Sequence, residues 1–306
     1  MRLNYTVPPE DGGRKLNNIL RDRMRLSATL LRRLKAASAV YVDGLPRHTD
    51  YRVSAGELVS ADVTEPAADY PPEPGDIEVI YEDEWLLALN KPSGMLIHPS
   101  HSRNEGTLAN RVLYYVLSRG GENVHAVNRL DRDTGGIVLF SKSGYVKNLM
   151  SGAIKYKGYS AAVCGAPDPP SGSIVLPIRR VEEGGMLRAV LPDGAYARTD
   201  YRTEATDGSI SLLRLSLFTG RTHQIRVHCH AMGFPVLGDR LYSGAASTEL
   251  SERLGISSQL LFADRLEFIH PITGASVRLA LTPPWEARIV SLIFREKHID
   301  ISPNVL

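Results

Sequence analysis

The amino-acid sequence predicts an α+β protein, with a large domain built on a mostly antiparallel, mixed sheet and a small N-terminal domain of two helices followed by strands (αα-β). Two observations lead to this prediction. Short apolar runs divided by glycine and proline fill the chain after residue 76, and two basic amphipathic segments precede residue 40. The length of 306 residues also exceeds the usual size of one domain. We therefore expect domains at residues 1–66 and 77–306, joined by a linker at residues 67–76.

The N-terminal segment 14–35 combines an apolar stripe with a strongly basic surface. Leucine and isoleucine recur at spacings of three and four residues in two places, and Ser27 is a suitable N-cap for the second, so two short helices are predicted. Segment 14–35 contains only one acidic residue, Asp22. We expect its basic side chains to face outward. A short strand pair is predicted to follow, with Asp43-Gly44 as its turn signal.

The proline-rich stretch PAADYPPEP is typical of a semi-rigid linker. Beyond it, at least six strands are predicted from short apolar runs bounded by turn residues. The final segment WEARIVSLIFREKH is compatible with a closing helix. The strand-forming runs are IEVIYEDEWLLALNKPSG, GGIVLFSKS, YSAAVCG, SGSIVLPI, SLLRLSLFTG, LEFIHPITG and ASVRLALTPP.

Composition and the common motifs exclude several classes of function. The two cysteines cannot form a disulfide framework or a cysteine zinc cluster, and no apolar run approaches the length of a membrane span, so we expect a cytoplasmic protein. No GxxxxGK[ST] loop, strand-bound GxGxxG fingerprint or GxSxG elbow is present. No cofactor is therefore expected.

The histidines of RTHQIRVHCHAMG raise the alternative of a metal hydrolase. A helix capped by Thr222 and ended by Gly233 would separate His228 and His230 by about 200° around its axis. That separation does not favour one shared metal, and no HExxH pairing occurs. We expect no metal, and a structural hydrogen-bonding role for His223.

The stretch VNRLDRDTGG, residues 127–136, is the strongest candidate for catalysis. Asp131 comes just before the apolar run IVLF, where burial would raise the pKa of a carboxyl group unless a cation stays close. Arginine is well suited, because it is permanently charged and can hold a carboxylate through two hydrogen bonds. An oriented carboxylate can act as a nucleophile or as a general base. A glycosidase pair with Asp133 or a distant glutamate remains an alternative.

At these residues the chain resembles the RluA-type pseudouridine synthases, which isomerise uridine in RNA by detaching uracil, rotating it and rejoining it through carbon-5. GDIEVIYEDEWLLALNKPSGMLIHP resembles the opening strand pair of the family, and NRLDRDTGG its signature HRLDxxTSG. The family's KxY motif is present as Lys157-Gly158-Tyr159. TGRTHQIRVHCHAMGFPVLGDRLY and LEFIHPITG follow in the family's order. The N-terminal helices and strands resemble the S-four RNA-binding module, over roughly residues 12–65.

This resemblance implies an RNA pseudouridine synthase with Asp131 as the catalytic aspartate, in a position that is rigid, dry and paired. Arg226 would be its salt-bridge partner, and Tyr159 the aromatic residue that packs against the target base. Arg129 would enter the RNA stack when the uridine flips out. The RNA is expected to be ribosomal rather than transfer RNA. A monomer is expected on separate grounds, because the sequence has no heptad repeat and no long exposed apolar helix. Further substrate contacts are expected from Arg132, Thr134, Lys157, and Leu260 or Leu261, and N-terminal RNA contacts from Arg21, Arg25, Arg32, Arg33 and Lys35.

Three residues depart from the family pattern. Asn128 and Phe262 replace histidines, and Gly135 replaces a serine. These changes motivate a second hypothesis, an inactive RNA-binding or ribosome-assembly protein on the same scaffold. The intact Asp131 and Tyr159 favour an enzyme. Asn128 still offers a donor and an acceptor, so we expect the loop geometry to survive.

Overall fold

The computed structural model describes residues 1–99 and 104–295. Residues 2–62 form a four-stranded antiparallel sheet in the order β1-β4-β2-β3, covered by short helices. Regular structure includes a 3-10 turn at Pro9–Asp11, a short helix α1 at Leu16–Asn18 that continues as a π-helix at Ile19–Arg23, and helix α2 at Ala28–Ala36. The strands are β1 (Arg2–Thr6), β2 (Val40–Val42), β3 (Leu45–Pro46) and β4 (Leu58–Asp62).

The apolar stripe of the N-terminal helices forms the core of this small sheet. Leu16 and Leu34 are almost fully buried together with the valines of β2 and β4. The predicted cap is present, since the Ser27 hydroxyl accepts a hydrogen bond from the Leu30 backbone N–H at 3.2 Å. Strand β1 was not predicted, because its alternating polar residues are half exposed and become a strand only by pairing with β4.

The predicted linker is held along the large domain by hydrogen bonds just before and within its proline run. Glu65, just before it, accepts bonds from His125 Nε2 at 3.0 Å and from the Gly144 backbone N–H at 2.9 Å. Within it, Asn110 Nδ2 donates to the Pro71 carbonyl at 2.7 Å. These hydrogen bonds therefore fix the linker against the large domain.

The large domain contains a ten-stranded sheet, as the apolar runs predicted. Its main path is β10-β13-β14-β9-β15-β8-β6-β5, with β16 added to β15 and β7 to β8. Neighbours pair antiparallel except β8 and β15, which are parallel. The mostly antiparallel, mixed sheet is thus confirmed. The strands are β5 (Glu78–Glu82), β6 (Leu86–Lys91), β7 (His125–Ala126), β8 (Gly135–Ser141), β9 (Ile154–Cys164), β10 (Ser171–Val175), β13 (Arg198–Thr206), β14 (Ile210–Leu217), β15 (Leu261–Ile269) and β16 (Ser276–Ala280), beside a ribbon of β11 (Ile178–Arg180) and β12 (Arg188–Val190).

Among the described residues, five helices pack around this sheet: α3 (Leu108–Leu117), α4 (Gly144–Leu149), α5 (Gln224–Ala231), α6 (Ala245–Arg253) and α7 (Glu286–Arg295). Helix α5 covers one face of β9 and β14, whereas α6 and α7 cover the opposite face. The closing helix is confirmed as far as Arg295, and the rest of the predicted C-terminal domain, residues 296–306, lies outside the described residues. In the described part of the chain, no helix is long and apolar enough to span a bilayer.

The parallel contact between β8 and β15 depends on one glycine. Gly136 has φ +112°, and a Cβ atom there would lie 2.2 Å from the Ala263 carbonyl oxygen. Only glycine allows the two backbones to approach this closely. The contact fixes the start of β8, directly after the loop that carries Asp131.

Candidate active site

Asp131 lies in the loop before β8 and faces an arginine from α5. Its Oδ2 accepts a hydrogen bond from Arg226 Nη1 at 3.2 Å, and His223 Nε2 lies 4.0 Å from the same oxygen. The side chain is 25% exposed. The expectation of a dry carboxylate was therefore wrong, because a quarter of the Asp131 side chain is exposed to solvent. This exposure leaves the carboxylate accessible to a substrate.

A second carboxylate, absent from the sequence prediction, fixes Arg226. Asp239 binds the guanidinium through two bonds, from Nε at 2.6 Å and from Nη2 at 2.8 Å, and its side chain is fully buried. Burial alone would lower the pKa of Arg226, but the bonds and charge of Asp239, reinforced by Asp131, raise it. Asp131 thus has one hydrogen bond from Arg226 and not the paired bonds that arginine can offer, because Asp239 occupies that edge of the guanidinium.

Tyr159 lies on β9 in the core between the sheet and α5. It pairs across the ladder with Leu215 and packs in one cluster with Leu261 and Ile225. Burial raises the pKa of its phenol, and the negative charges of Asp131 and Asp264 raise it further, so the phenol is neutral. Only 7% of Tyr159 is exposed.

The turn after β6 holds the Asp131 loop from below. Lys91 is fully buried, and its ammonium donates hydrogen bonds to the carbonyls of Pro92 at 2.9 Å, Met95 at 2.8 Å and Arg132 at 2.8 Å. The Gly94 backbone N–H donates to the same Arg132 carbonyl at 2.9 Å. The KPSG motif, residues 91–94, therefore fixes the Asp131 loop through these hydrogen bonds, and we call this set of bonds the clamp. The sequence placed Lys91 in a motif but did not indicate this contact.

The clamp predicts a pH effect on activity. Burial lowers the pKa of Lys91 to about 8, although the charges of Asp133 and Asp131 act in the opposite direction. An ammonium has three donors and a neutral amine has two, so the clamp has one hydrogen bond fewer above a pH of about 8. Turnover should fall across this range in a pH–rate profile of the wild type. Lys91→Gln should be less active and should lack this alkaline limb.

Stability should not explain that fall. The unfolded lysine keeps its proton up to about pH 10.4, so between about pH 8 and 10.4 the unfolded chain binds more protons than the folded one. The contribution of Lys91 to the free energy of unfolding therefore rises with pH in that window. An unchanged alkaline limb in Lys91→Gln would contradict the role of this side chain.

The predicted substrate contacts divide into exposed and buried groups. Arg129 is exposed, as is Arg132, whose guanidinium pairs with Asp133 at 2.9 Å. Thr134 is 2% exposed, and its hydroxyl accepts a bond from Gln259 Nε2 at 2.6 Å. The structure therefore places Thr134 in a supporting position beneath the loop and not on the substrate side.

The remaining predicted contacts lie on β9 and β15. Lys157 is half-buried, two residues before Tyr159. Leu261 packs with Tyr159, whereas Leu260 belongs to the apolar cluster beneath α6 and α7. Of these two leucines, Leu261 has the position suited to the floor of a base pocket.

The family departures are accommodated by local contacts. Asn128 Nδ2 donates to the Ile137 carbonyl at 3.1 Å, and its Oδ1 accepts from the Leu139 N–H at 2.7 Å, so the expected loop geometry is preserved. The other two departures touch one another. A Cβ atom on Gly135 would lie 3.0 Å from the Phe262 ring, which occupies the space of a larger side chain at residue 135.

The histidine segment differs from the prediction at its start. Helix α5 begins after His223, and not after Thr222; His223 has φ 59°, and its Nδ1 contacts Tyr242 OH at 2.7 Å. The bond to Tyr242 agrees with a structural role for His223. His228 uses both ring nitrogens, on Thr199 Oγ1 at 2.9 Å and the Leu176 carbonyl at 3.0 Å. Across residues 1–99 and 104–295, no group of three His, Cys, Asp or Glu side chains could hold a metal ion.

The predicted N-terminal RNA contacts all have exposed side chains. Arg33 Nη2 donates to the Thr64 carbonyl at 2.6 Å, and Lys35 Nζ to Asn17 Oδ1 at 3.0 Å. The small domain contacts α4 of the large domain, where Asn148 Nδ2 donates to the Arg25 carbonyl at 3.1 Å. The exposed set is Arg21, Arg25, Arg32, Arg33 and Lys35.

Comparison with known proteins places this geometry in a family. Residues 85–231 match the family model for RNA pseudouridylate synthase. YhcT of Bacillus subtilis (strain 168), an uncharacterized RNA pseudouridine synthase, is 30% identical over 89% of this chain and 90% of YhcT. Ribosomal large subunit pseudouridine synthase D of Xanthomonas campestris pv. campestris is 31% identical over 95% of this chain and 92% of that protein.

A solved structure shows the same fold. Human RNA Pseudouridylate Synthase Domain Containing 4 superimposes with a TM-score of 0.55 at 22% identity, covering 68% of this chain and 88% of the human one. Asp131, Tyr159 and Arg226 all lie within the segment matched by the family model. The resemblance to the RluA-type enzymes is confirmed, and the chain belongs to the RNA pseudouridine synthases, which convert uridine in RNA to pseudouridine.

Proposed function

We propose that Asp131 is the catalytic carboxylate and that Arg226 holds it in position. One observation carries this proposal: Arg226 Nη1 holds Asp131 Oδ2 at 3.2 Å while Asp239 fixes the rest of the guanidinium. Attack on the anomeric carbon, addition to the uracil ring and removal of a ribose proton all require an ionised carboxylate.

The substrate must leave its base stack to reach Asp131. Extruding a nucleotide costs a few kcal/mol, which stacking and hydrogen bonds inside the enzyme offset. We propose that the exposed Arg129 fills the vacated stack, that Tyr159 contacts the target base at its accessible edge, and that Leu261 forms the floor. Arg132 and Lys157 have exposed or half-exposed cations suited to nearby phosphates.

We propose ribosomal RNA as the substrate, which places the enzyme where ribosomes are assembled in the cytoplasm. The relative from Xanthomonas campestris, named for the ribosomal large subunit, supports this choice. Mapping pseudouridines in total RNA from cells with and without the gene tests it. One or more sites in large-subunit ribosomal RNA should disappear. Loss confined to transfer RNA would contradict the choice of substrate.

We propose that residues 1–66 form an S-four-like RNA-binding domain, with residues 67–76 as the linker and residues 77–306 as the catalytic domain. Arg21 and Arg32 are exposed on its surface, and exposed guanidinium groups support phosphate binding. Such a domain would add affinity without base recognition.

Replacing Arg21 and Arg32 by glutamine should flatten the salt dependence of RNA binding. Removing one contact to a phosphate reduces the slope of log K against log salt by about 0.7 to 0.9. Fluorescence anisotropy with transcribed large-subunit ribosomal RNA at several salt concentrations measures it. The matched control replaces Arg240 and Arg253 by glutamine; both are exposed, Arg240 before α6 and Arg253 at its last position. If both double variants had the same salt slope of RNA binding, the N-terminal surface would not be part of the RNA interface.

A further inference from the structure

A groove with a volume of about 500 Å³ lies beside the candidate active site, and of its lining residues the proposed function uses Lys157 alone. One wall is formed by α4 and the turn before β9, and the other by the end of β14. Its lining combines three lysines with apolar side chains. The residues used below are Lys147, Lys155, Lys157 and Phe218.

The charge of this groove is uniformly positive and unpaired. Among residues 1–99 and 104–295, no carboxylate forms an ion pair with any of the three lysines. Lys147 and Lys155 are exposed, and Lys155 Nζ contacts only a backbone carbonyl, that of Gly152, at 3.1 Å. Three unpaired ammonium groups along one groove form a site for a chain of anions.

The groove connects directly with the active site. Lys157 is two residues from Tyr159 on β9, so the two side chains leave the same face of the strand. Val127, which also lines the groove, begins the segment that leads to Asp131.

At its other end, the groove continues towards the small domain. Lys147 belongs to α4, which is the helix that contacts that domain. Tyr145 OH donates to the Met24 carbonyl at 3.0 Å, and Asn148 to the Arg25 carbonyl. Lys147 therefore lies on the helix that joins the groove to the small domain.

The groove also has an aromatic platform. Phe218 is 59% exposed at the end of β14, and the Arg198 guanidinium lies 4.3 Å from its ring centroid. Asp200 holds Arg198 through two bonds of 3.0 Å. An exposed phenylalanine backed by a fixed arginine can stack an unpaired nucleobase.

We propose that this groove binds the single-stranded RNA segment adjoining the target uridine, with phosphates on the three lysines and one base stacked on Phe218. The groove offers both cations for phosphates and an exposed aromatic ring for a base. This combination favours RNA over an acidic peptide, whose carboxylates would use the lysines but not the ring. This inference rests on the proposed function, because it assigns the path of that substrate.

Two variants and a fluorescein-labelled single-stranded 12-nucleotide RNA test this path. The double variant Lys147→Gln with Lys155→Gln should reduce the salt slope of binding by about 1.4, or about 0.7 for each phosphate contact on a single strand. Phe218→Ala should weaken binding by about 5- to 150-fold without changing the slope, as expected when one stacked base is released. The Arg240 and Arg253 double variant should bind like the wild type.

The proposal would be overturned if both variants bound the RNA with the salt slope and affinity of the wild type. It would also be overturned if polyglutamate competed with the labelled RNA as well as unlabelled RNA does, because the groove would then be a general polyanion site. Pseudouridine formation by the wild type is measured in parallel on transcribed large-subunit ribosomal RNA. If the wild type is active while the groove variants bind normally, the groove assignment fails alone. If the wild type forms no pseudouridine, the proposed function fails, and the binding slopes still decide the groove.

Discussion

Asp131→Asn should reduce pseudouridine formation by at least about 1,000-fold, because asparagine can act neither as a nucleophile nor as a base. The fold should persist, since Arg226 retains both bonds to Asp239. RNA binding should also persist, because the basic surfaces are unchanged. Mass spectrometry of nuclease-digested RNA measures the product, and anisotropy measures the binding.

The matched control is Asp133→Asn, a change of the same type two residues along the loop. Asp133 pairs with the exposed Arg132, and this surface pair contributes little stability. This variant should retain most of its activity. Equal losses in the two variants would show that the loop charge as a whole matters, and that Asp131 has no special role.

Asp239→Ala should lower the free energy of unfolding by about 3 to 5 kcal/mol, because it leaves the buried Arg226 charge without its main partner. Asp239 Oδ1 also accepts bonds from the backbone N–H groups of Leu241 at 2.9 Å and Tyr242 at 3.2 Å. The same change should reduce activity, since Arg226 would no longer be held towards Asp131. Denaturant unfolding and turnover measure the two effects.

Asp200→Ala is the control for that measurement. Asp200 binds Arg198 with the same two-bond geometry, but the pair is about one-third exposed. Its loss should cost less than about 1 kcal/mol. Similar destabilisation by the two variants would contradict the buried anchoring role of Asp239.

Much of the fold follows from local patterns. The runs GGIVLFSKS and SLLRLSLFTG became β8 and β14, because short apolar segments bounded by turn residues have few other ways to be buried. Strand β13 was missed, since RTDYRTEAT alternates polar residues and is a strand only between its neighbours β10 and β14. Its pairing depends on contacts distant in sequence, which local propensity does not contain.

The site residues that belong to a family motif could be predicted from the sequence. Those whose role depends on contacts formed only in the folded chain could not. Asp131 and Arg226 are 95 positions apart, and the family signature alone predicted their pairing. Asp239 lies in LGDRLY, where nothing local distinguishes it from a turn acid. Its role depends on burial beside Arg226. Lys91 is similar, because a lysine that binds three carbonyls cannot be told from a surface lysine by composition.

The departures at Gly135 and Phe262 show that comparison with a motif can also overstate the effect of a substitution. Taken one by one they suggested a disturbed site and a lost activity. In the structure they are partners on the two parallel strands, so one compensates for the other. The hydrogen bonds of Asn128 likewise favour an intact loop. These contacts support an active enzyme over an inactive scaffold.

Tritium release from RNA labelled at carbon-5 of uridine tests the role of Asp131 most directly. Carbon-5 must lose its hydrogen when it becomes bonded to the ribose, so each pseudouridine formed should release one tritium to water. The wild type should release tritium in step with product, and Asp131→Asn should release none under single-turnover conditions. Release by Asp131→Asn at the wild-type rate would contradict a catalytic role for this carboxylate.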